Sequence, residues 1–237
     1  MMPQIYDRAT LESYKVNRPG EPEVIRQRLY DYQLYATAGS TQMTFFALPL
    51  GQGMTSSSGA VAGSPKTYAD TNMETAGQLP RPKNYLLESI EVYFEPGSVS
   101  TANTFTIQTP VVFNTTAAAA VLAQITDVNA IRVSGYLELY IGSKTYLTEA
   151  PLGAFPMKTR MELDAAIGLA GTNAQPAVLA AVNARTGGRP YYMDPPIVLE
   201  TSQNFAVYLK WPVAIATVAN NGRIGVIFDG VMYRLSQ

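Results

Sequence analysis

Glu88, Glu91 and Glu95 crowd one short stretch of the chain, and paired carboxylates are the one arrangement here that could carry acid–base chemistry. Two carboxyl groups flanking a glycosidic bond can protonate the leaving oxygen and activate or supply a nucleophile. The spacing argues against that use. In an extended strand side chains alternate, so Glu91 and Glu95 share a face while Glu88 is offset to the other. Glu138 and Asp194 have no partner visible in the sequence, and a lone carboxylate on a polar face is ordinarily a solvated group. The chain has no cysteine and no histidine, which excludes a disulfide, a thiolate nucleophile, a Cys/His zinc site and a Ser-His-Asp triad. Asp127-Val128-Asn129 does not follow the calcium-loop pattern. Gly51-Gln52-Gly53 follows an expected strand, but Ser56 stands where a dinucleotide loop has its third glycine and no helix follows. No catalytic residue, cofactor or metal is expected, and the chain reads as non-enzymatic.

The three glutamates sit on the stretch Lys83 to Gly97. Leu86, Ile90, Val92 and Phe94 alternate there with Tyr85, Ser89, Glu91, Tyr93 and Glu95, the pattern of a strand buried on one side, and Pro96-Gly97 ends it. Such a strand needs partner strands and a covering layer. Leu29 to Ala36, with Tyr30, Tyr32 and Leu34 on one face, and Met43 to Leu50 read as a first hairpin turning at Thr37 to Ser40. Ala130 to Gly142 has the clearest alternation, with Ile131, Val133, Leu137, Leu139 and Ile141 on one side; Gly142-Ser143 turns it into Lys144 to Glu149. Ile197 to Glu200, Asn204 to Trp211 and Arg223 to Leu235 complete the strands, the last opened by Asn220-Asn221-Gly222.

Between the strands lie long connections. Gly51 to Ser64 is a small-residue loop. Lys66 to Pro80 reads equally as an irregular loop or as a short helix capped by Ser64, with Pro65 at its first position and Gly77 past its end. Ser98 to Thr116 is polar with short β-prone pieces, and Ala117 to Asn129 is a helix on alanine propensity and on the spacing of Val121, Leu122 and Ile125. Pro151 to Asp194 is irregular, with a short helix around Pro176 to Ala184 and a break at Gly187 to Pro190. The expected organisation is an extended arm over 1–28 and one domain over 29–237 with long loops at 51–83, 98–129 and 151–194. The fold class is all-β, an antiparallel two-sheet sandwich with one or two short helices. Jelly roll is the favoured topology; barrel and immunoglobulin-like sandwich stay open, the latter weakened by the absence of cysteine.

A net charge of −1 over 237 residues leaves no basic field for nucleic acid phosphates. The first residues carry charges and lack an apolar signal segment, and no apolar run is long enough to span a bilayer, so the protein is expected to be soluble at synthesis. Fifteen tyrosines are the most informative feature of the composition, because tyrosine offers contact area and a hydrogen bond at low entropic cost. They suit packing at sheet edges, sugar platforms or contacts between subunits. Low charge, small-residue loops and an extended arm favour the last. Tyr6 and Tyr14 on the arm, and Tyr68, Met73, Phe155, Tyr191 and Tyr192 on the long connections, are the interface candidates.

Three segments together resemble virion structural proteins of bacteriophages, of the jelly-roll type found as capsid or capsid-cementing subunits: Lys66 to Gly97, Leu147 to Pro156, and Asn204 to Arg234 with NFAVYLKWP and NNGRIGVIFDGVMYR. The resemblance implies a structural role in an icosahedral head, commonly as trimers at local threefold positions. It implies a virion location, with homo-oligomeric and other capsid subunits as partners, and neither nucleic acid nor membrane. It leaves open whether the subunit builds the shell or decorates it.

Overall fold

The computed structural model describes residues 23–53, 64–96, 112–113, 126–168, 177–186, 190–217 and 221–234, with backbone alone at 112–113, 159–168 and 177–186. The chain runs through β1 (Glu23–Arg26), β2 (Leu29–Tyr35), β3 (Gln42–Phe45), β4 (Lys83–Glu95), β5 (Val112–Phe113), a helix over 126–134, β6 (Tyr136–Ile141) and β7 (Lys144–Glu149). After a 3-10 turn at Leu152–Ala154 come β8 (Thr159–Gly168), β9 (Ala177–Thr186), β10 (Tyr191–Leu199), β11 (Phe205–Lys210) and β12 (Gly222–Arg234). The protein is mostly β-strand. Two antiparallel sheets face each other: β12 lies between β4 and the end-to-end pair β1 and β2, with β10 on the far side of β4, and the opposing sheet is ordered β3-β11-β6-β7. A separate ladder joins β5, β9 and β8. The pairings nest: β6 with β7, β4 with β10, β3 with β11 and β2 with β12.

The centre of the first sheet is the long β4–β12 pair. Ser89 is opposite Asp229 and Leu87 opposite Gly230, so Glu88 is an extra residue on β4, a bulge. The bulge switches the inward face. Tyr85 and Leu87 face the core before it, Ile90 and Val92 after it. This corrects the one-sided reading of β4: Leu86 does not share a face with Ile90, and Ser89 and Glu91 are also buried. Gly230 leaves no room for a side chain, since a Cβ there would stand 1.9 Å from the Leu86 carbonyl oxygen.

Between the sheets, Phe46 and Phe205 pack on Phe228 with ring centroids 4.6 and 6.1 Å away, and Tyr35 meets Trp211 edge-on at 5.7 Å. Leu137, Leu139, Val207 and Leu209 fill the second sheet's inner face. Each large apolar side chain buried this way contributes about 2 kcal/mol.

Several expectations change. The segments around β2 and β3 do not form a hairpin: β2 pairs with β12 and β3 with β11, so the turn at 37–41 carries the chain from one sheet to the other. Phe45 and Tyr35 can then meet the core from opposite sides. The expected helix over 117–129 appears as 126–134; its first part lies outside the described residues. That helix takes Ile131 and Val133 out of the expected strand. Ile131 is buried while Val133 is 71% exposed, as helical rather than alternating geometry requires. Gly135 separates helix from β6, where a Cβ would stand 2.5 Å from Trp211 Nε1.

The segment 151–194 is not an irregular loop. It holds β8, β9 and the start of β10, and the expected helix near 176–184 is a strand, because pairing along β8 overrides the helix preference of alanine. Within the arm expected over 1–28, Glu23–Arg26 is a strand paired with β12, and residues 1–22 lie outside the described residues. Lys66 to Pro80 is the irregular-loop alternative, and its residues 70–72 cover the open edge of β2 through Tyr32 N–H to Asp70 O, 2.7 Å, and Tyr30 N–H to Asn72 Oδ1, 3.0 Å.

Gly230→Ala is expected to lower unfolding free energy by about 2 kcal/mol or more, because the backbones must separate at the bulge. Gly142→Ala, with φ of 61° but open space around it, is expected to lose about 1 kcal/mol. Urea denaturation of the two variants checks the order.

Candidate functional site

The outward side of the first sheet is a tyrosine–arginine surface that gives way to a buried ionic cluster. Register places Arg223, Gly225, Ile227 and Asp229 of β12 beside Glu95, Tyr93, Glu91 and Ser89 of β4, and beside Tyr32 and Tyr30 of β2. Gly225 supplies the room for an aromatic ring, since a Cβ there would stand 2.2 Å from Tyr32 Cδ1. Tyr32 lies edge-on to Tyr93 at 5.4 Å and next to Tyr30 at 5.8 Å, and the Arg223 guanidinium covers it at 4.1 Å. The Tyr93 hydroxyl donates to Glu95, and Tyr30 OH donates to the Tyr68 carbonyl at 2.6 Å.

Further along the same face, Glu91 is 1% and Asp229 2% exposed. Arg28 lies 3.5 Å from Glu91, Arg26 bridges Glu88 at 3.1 Å and Asp229 at 3.3 Å, and the Lys158 ammonium pairs with Asp229. The Lys158 backbone N–H also donates to Glu91 at 3.0 Å. Lys158 immediately precedes β8, so the cluster fastens the start of the β8–β9 hairpin to the sheet. Burial pushes the Lys158 ammonium below its usual range, with Arg26 adding to the effect. Glu88 joins this cluster through Arg26, so the offset expected from simple alternation is removed by the bulge. Each buried carboxylate is engaged by cations, an arrangement that fixes chain segments in place.

The outward side of the second sheet is also rich in tyrosine. Tyr140 and Tyr208 meet edge-on at 5.2 Å, and Lys210 pairs with Glu138 at 2.5 Å while lying 5.5 Å from the Tyr208 ring centroid. Lys144 stands over Tyr146, itself 47% exposed.

The interface candidates divide. Tyr68 and Tyr192 are 66% and 53% exposed, and Tyr192 is opposite Ser89, next to the ionic cluster. Tyr191 is half-buried, its ring 4.8 Å from Phe155 and its hydroxyl 3.3 Å from Glu149. Met73 and Phe155 are core residues, which removes them as interface candidates, since both side chains are buried within the chain itself. Tyr6 and Tyr14 lie outside the described residues. Sequence reasoning missed Arg26, Arg28, Lys158 and Asp229. The available signal was Asp229 alone, a charge inside the apolar run from Ile224 to Met232. Among the described residues no group of His, Cys, Asp and Glu could hold a metal ion, and no helix is long and apolar enough to cross a membrane.

Glu91→Gln is expected to cost about 1 kcal/mol, because the Arg28 it leaves without a carboxylate is 43% exposed and can turn to water; chemical denaturation at neutral pH reads it. Burial raises the phenols of Tyr30, Tyr32, Tyr35, Tyr85, Tyr93 and Tyr191 above their ordinary value of 10.0. Above pH 10 the unfolded chain therefore releases protons that the folded one retains, and stability falls as pH rises. The lowered lysine works in the opposite sense just below 10.5, against six tyrosines. Ultraviolet titration should show these phenols ionising only as the protein unfolds. No protein-family model matches the chain, and neither the curated proteins nor the solved structures give a match.

Proposed function

We propose that this chain is a structural protein of a bacteriophage virion, a capsid cement or decoration subunit with a jelly-roll topology that stabilises an icosahedral head through trimeric contacts. The observation that carries the reading is the nesting of strand pairs. β6–β7 is the tip of one long hairpin whose successive pairs are β4–β10, β3–β11 and β2–β12, alternately assigned to the two sheets. Rolling such a hairpin yields paired Greek keys, the arrangement of jelly rolls in viral capsids and lectins. The insertions between β4 and β6 and between β7 and β10 occupy the same level of the hairpin, and β5 from one pairs with β9 from the other.

Both outer faces supply tyrosines, and the first sheet adds Arg223 over Tyr32; tyrosine and arginine are residue types enriched where proteins meet. A sandwich with contact surfaces on both sides and an extra ladder suits a subunit held by several neighbours, whose modest contacts multiply into avidity. The role is non-enzymatic and the location is the virion. A shell-forming capsid protein is the nearest alternative. A carbohydrate- or receptor-binding virion module is favoured by one feature, exposed Tyr192 beside the buried carboxylates, since an aromatic face next to polar groups suits a sugar ring.

Light scattering and negative-stain electron microscopy on the protein expressed alone separate these readings. Discrete trimers without shells are expected. Closed particles would make it the shell subunit, and monomers that bind a glycan array through Tyr192 would make it the receptor module. A chain beginning at Glu23, which keeps β1 and Arg26, is expected to fold but bind heads poorly; normal decoration would remove the role given to the arm.

A further inference from the structure

The interior of the sandwich holds a lysine and an aspartate in direct contact. Lys66 Nζ lies 2.5 Å from Asp31 Oδ1, with the two side chains 1% and 0% exposed. Both are held from several sides. Asp31 is on β2, opposite Val226 of β12, and bridges Thr71 on its other edge. Its second oxygen, Oδ2, accepts the Phe46 backbone N–H at 2.7 Å, where Phe46 has a left-handed φ of 67°. Lys66 is clasped by its main chain, its carbonyl accepting from Gly51 N–H at 2.9 Å and its N–H donating to Gln52 O at 3.3 Å.

We infer that Lys66 and Asp31 condense into an intramolecular amide bond that ties the segment after the small-residue loop covalently to β2. The reaction needs no partner beyond the two side chains. A proton passes from the Lys66 ammonium to the Asp31 carboxylate, leaving a neutral amine and a neutral acid. The amine lone pair attacks Cγ, and the new C–N bond places negative charge on Oδ2, where the Phe46 N–H donates. The nitrogen then gives a proton to the hydroxyl at Oδ1, the C–O bond breaks, one water leaves, and the carbonyl re-forms.

Three features favour this course. Two reacting groups held in contact behave as if at very high concentration, because their translational freedom is already lost. A backbone N–H aimed at the developing oxyanion stabilises it most where water is excluded. Burial also raises the Asp31 carboxyl above the usual carboxylate range, more than Lys66 lowers it, which favours the neutral acid that the first step requires. The product replaces two buried charges with one neutral amide, removing the desolvation cost that a buried ion pair carries.

Mass spectrometry of the purified, denatured full chain tests the inference without a variant. The expected mass is lower by one water than the sequence requires, and because no lysine or arginine lies between Arg28 and Lys66, a tryptic digest should yield one internally bridged peptide from Leu29 to Lys83, uncut after Lys66 and lighter by one water. Full mass, with linear peptides cleaved after Lys66, would overturn it and leave a buried ion pair. Lys66→Arg keeps the charge but cannot form the bond, so its mass should equal its own sequence. If the water loss persists in that variant, the dehydration lies elsewhere and the inference fails.

Discussion

Burial of the β4–β12 pair on both faces is the constraint from which the other features follow. Antiparallel strands in a sandwich ordinarily bury one face and leave the other to water. Here the inward face meets the second sheet through Phe228, Ile90 and Val92, while Glu91 and Asp229 on the outward face are also withdrawn from solvent. The Glu88 bulge makes this workable. It lets Tyr85 and Leu87 continue the core stripe that Ile90 and Val92 begin, despite the change of parity.

Buried charges in this protein sit where irregular chain must be fastened to regular sheet. Lys66 ties the segment after the small-residue loop to Asp31 on β2. Lys158 fastens the approach to the β8–β9 hairpin to Asp229 and Glu91, and Arg26 and Arg28 flank the break between β1 and β2. Apolar contacts are non-directional and would allow these segments to slide. A buried charge permits only geometries in which it keeps its partner, since an unpaired one is costly. The connections are thereby given defined positions, at the expense of stability that apolar side chains of similar volume could supply.

Much of the sandwich was legible from alternation. β7, β11 and β12 lie within a few residues of their expected bounds, β6 keeps only the second half of its expected span, and Leu137, Leu139, Val207 and Leu209 face inward as their spacing indicates. The failures have common physical causes. Ile131 and Val133 alternate like strand residues yet lie on a helix, which turns them to different sides, so that only Ile131 is buried. The alanine-rich β9 looks helical until β8 is placed beside it. The ionic cluster was hidden because its members come from β1, the link between β1 and β2, β4, β12 and the approach to β8. No local pattern links Arg28 to Glu91 or Lys158 to Asp229.

The sequence by itself determined the all-β class, the absence of thiol and imidazole chemistry, and the polarity of most strand faces, since each depends on composition or on near neighbours. Tertiary structure alone decided which strands pair, that the turn at 37–41 crosses between sheets, and that Met73 and Phe155 belong to the core. It also decided that Lys66 meets Asp31. Those outcomes depend on contacts between residues far apart in the chain, whose energies exist only after the loops between them have closed.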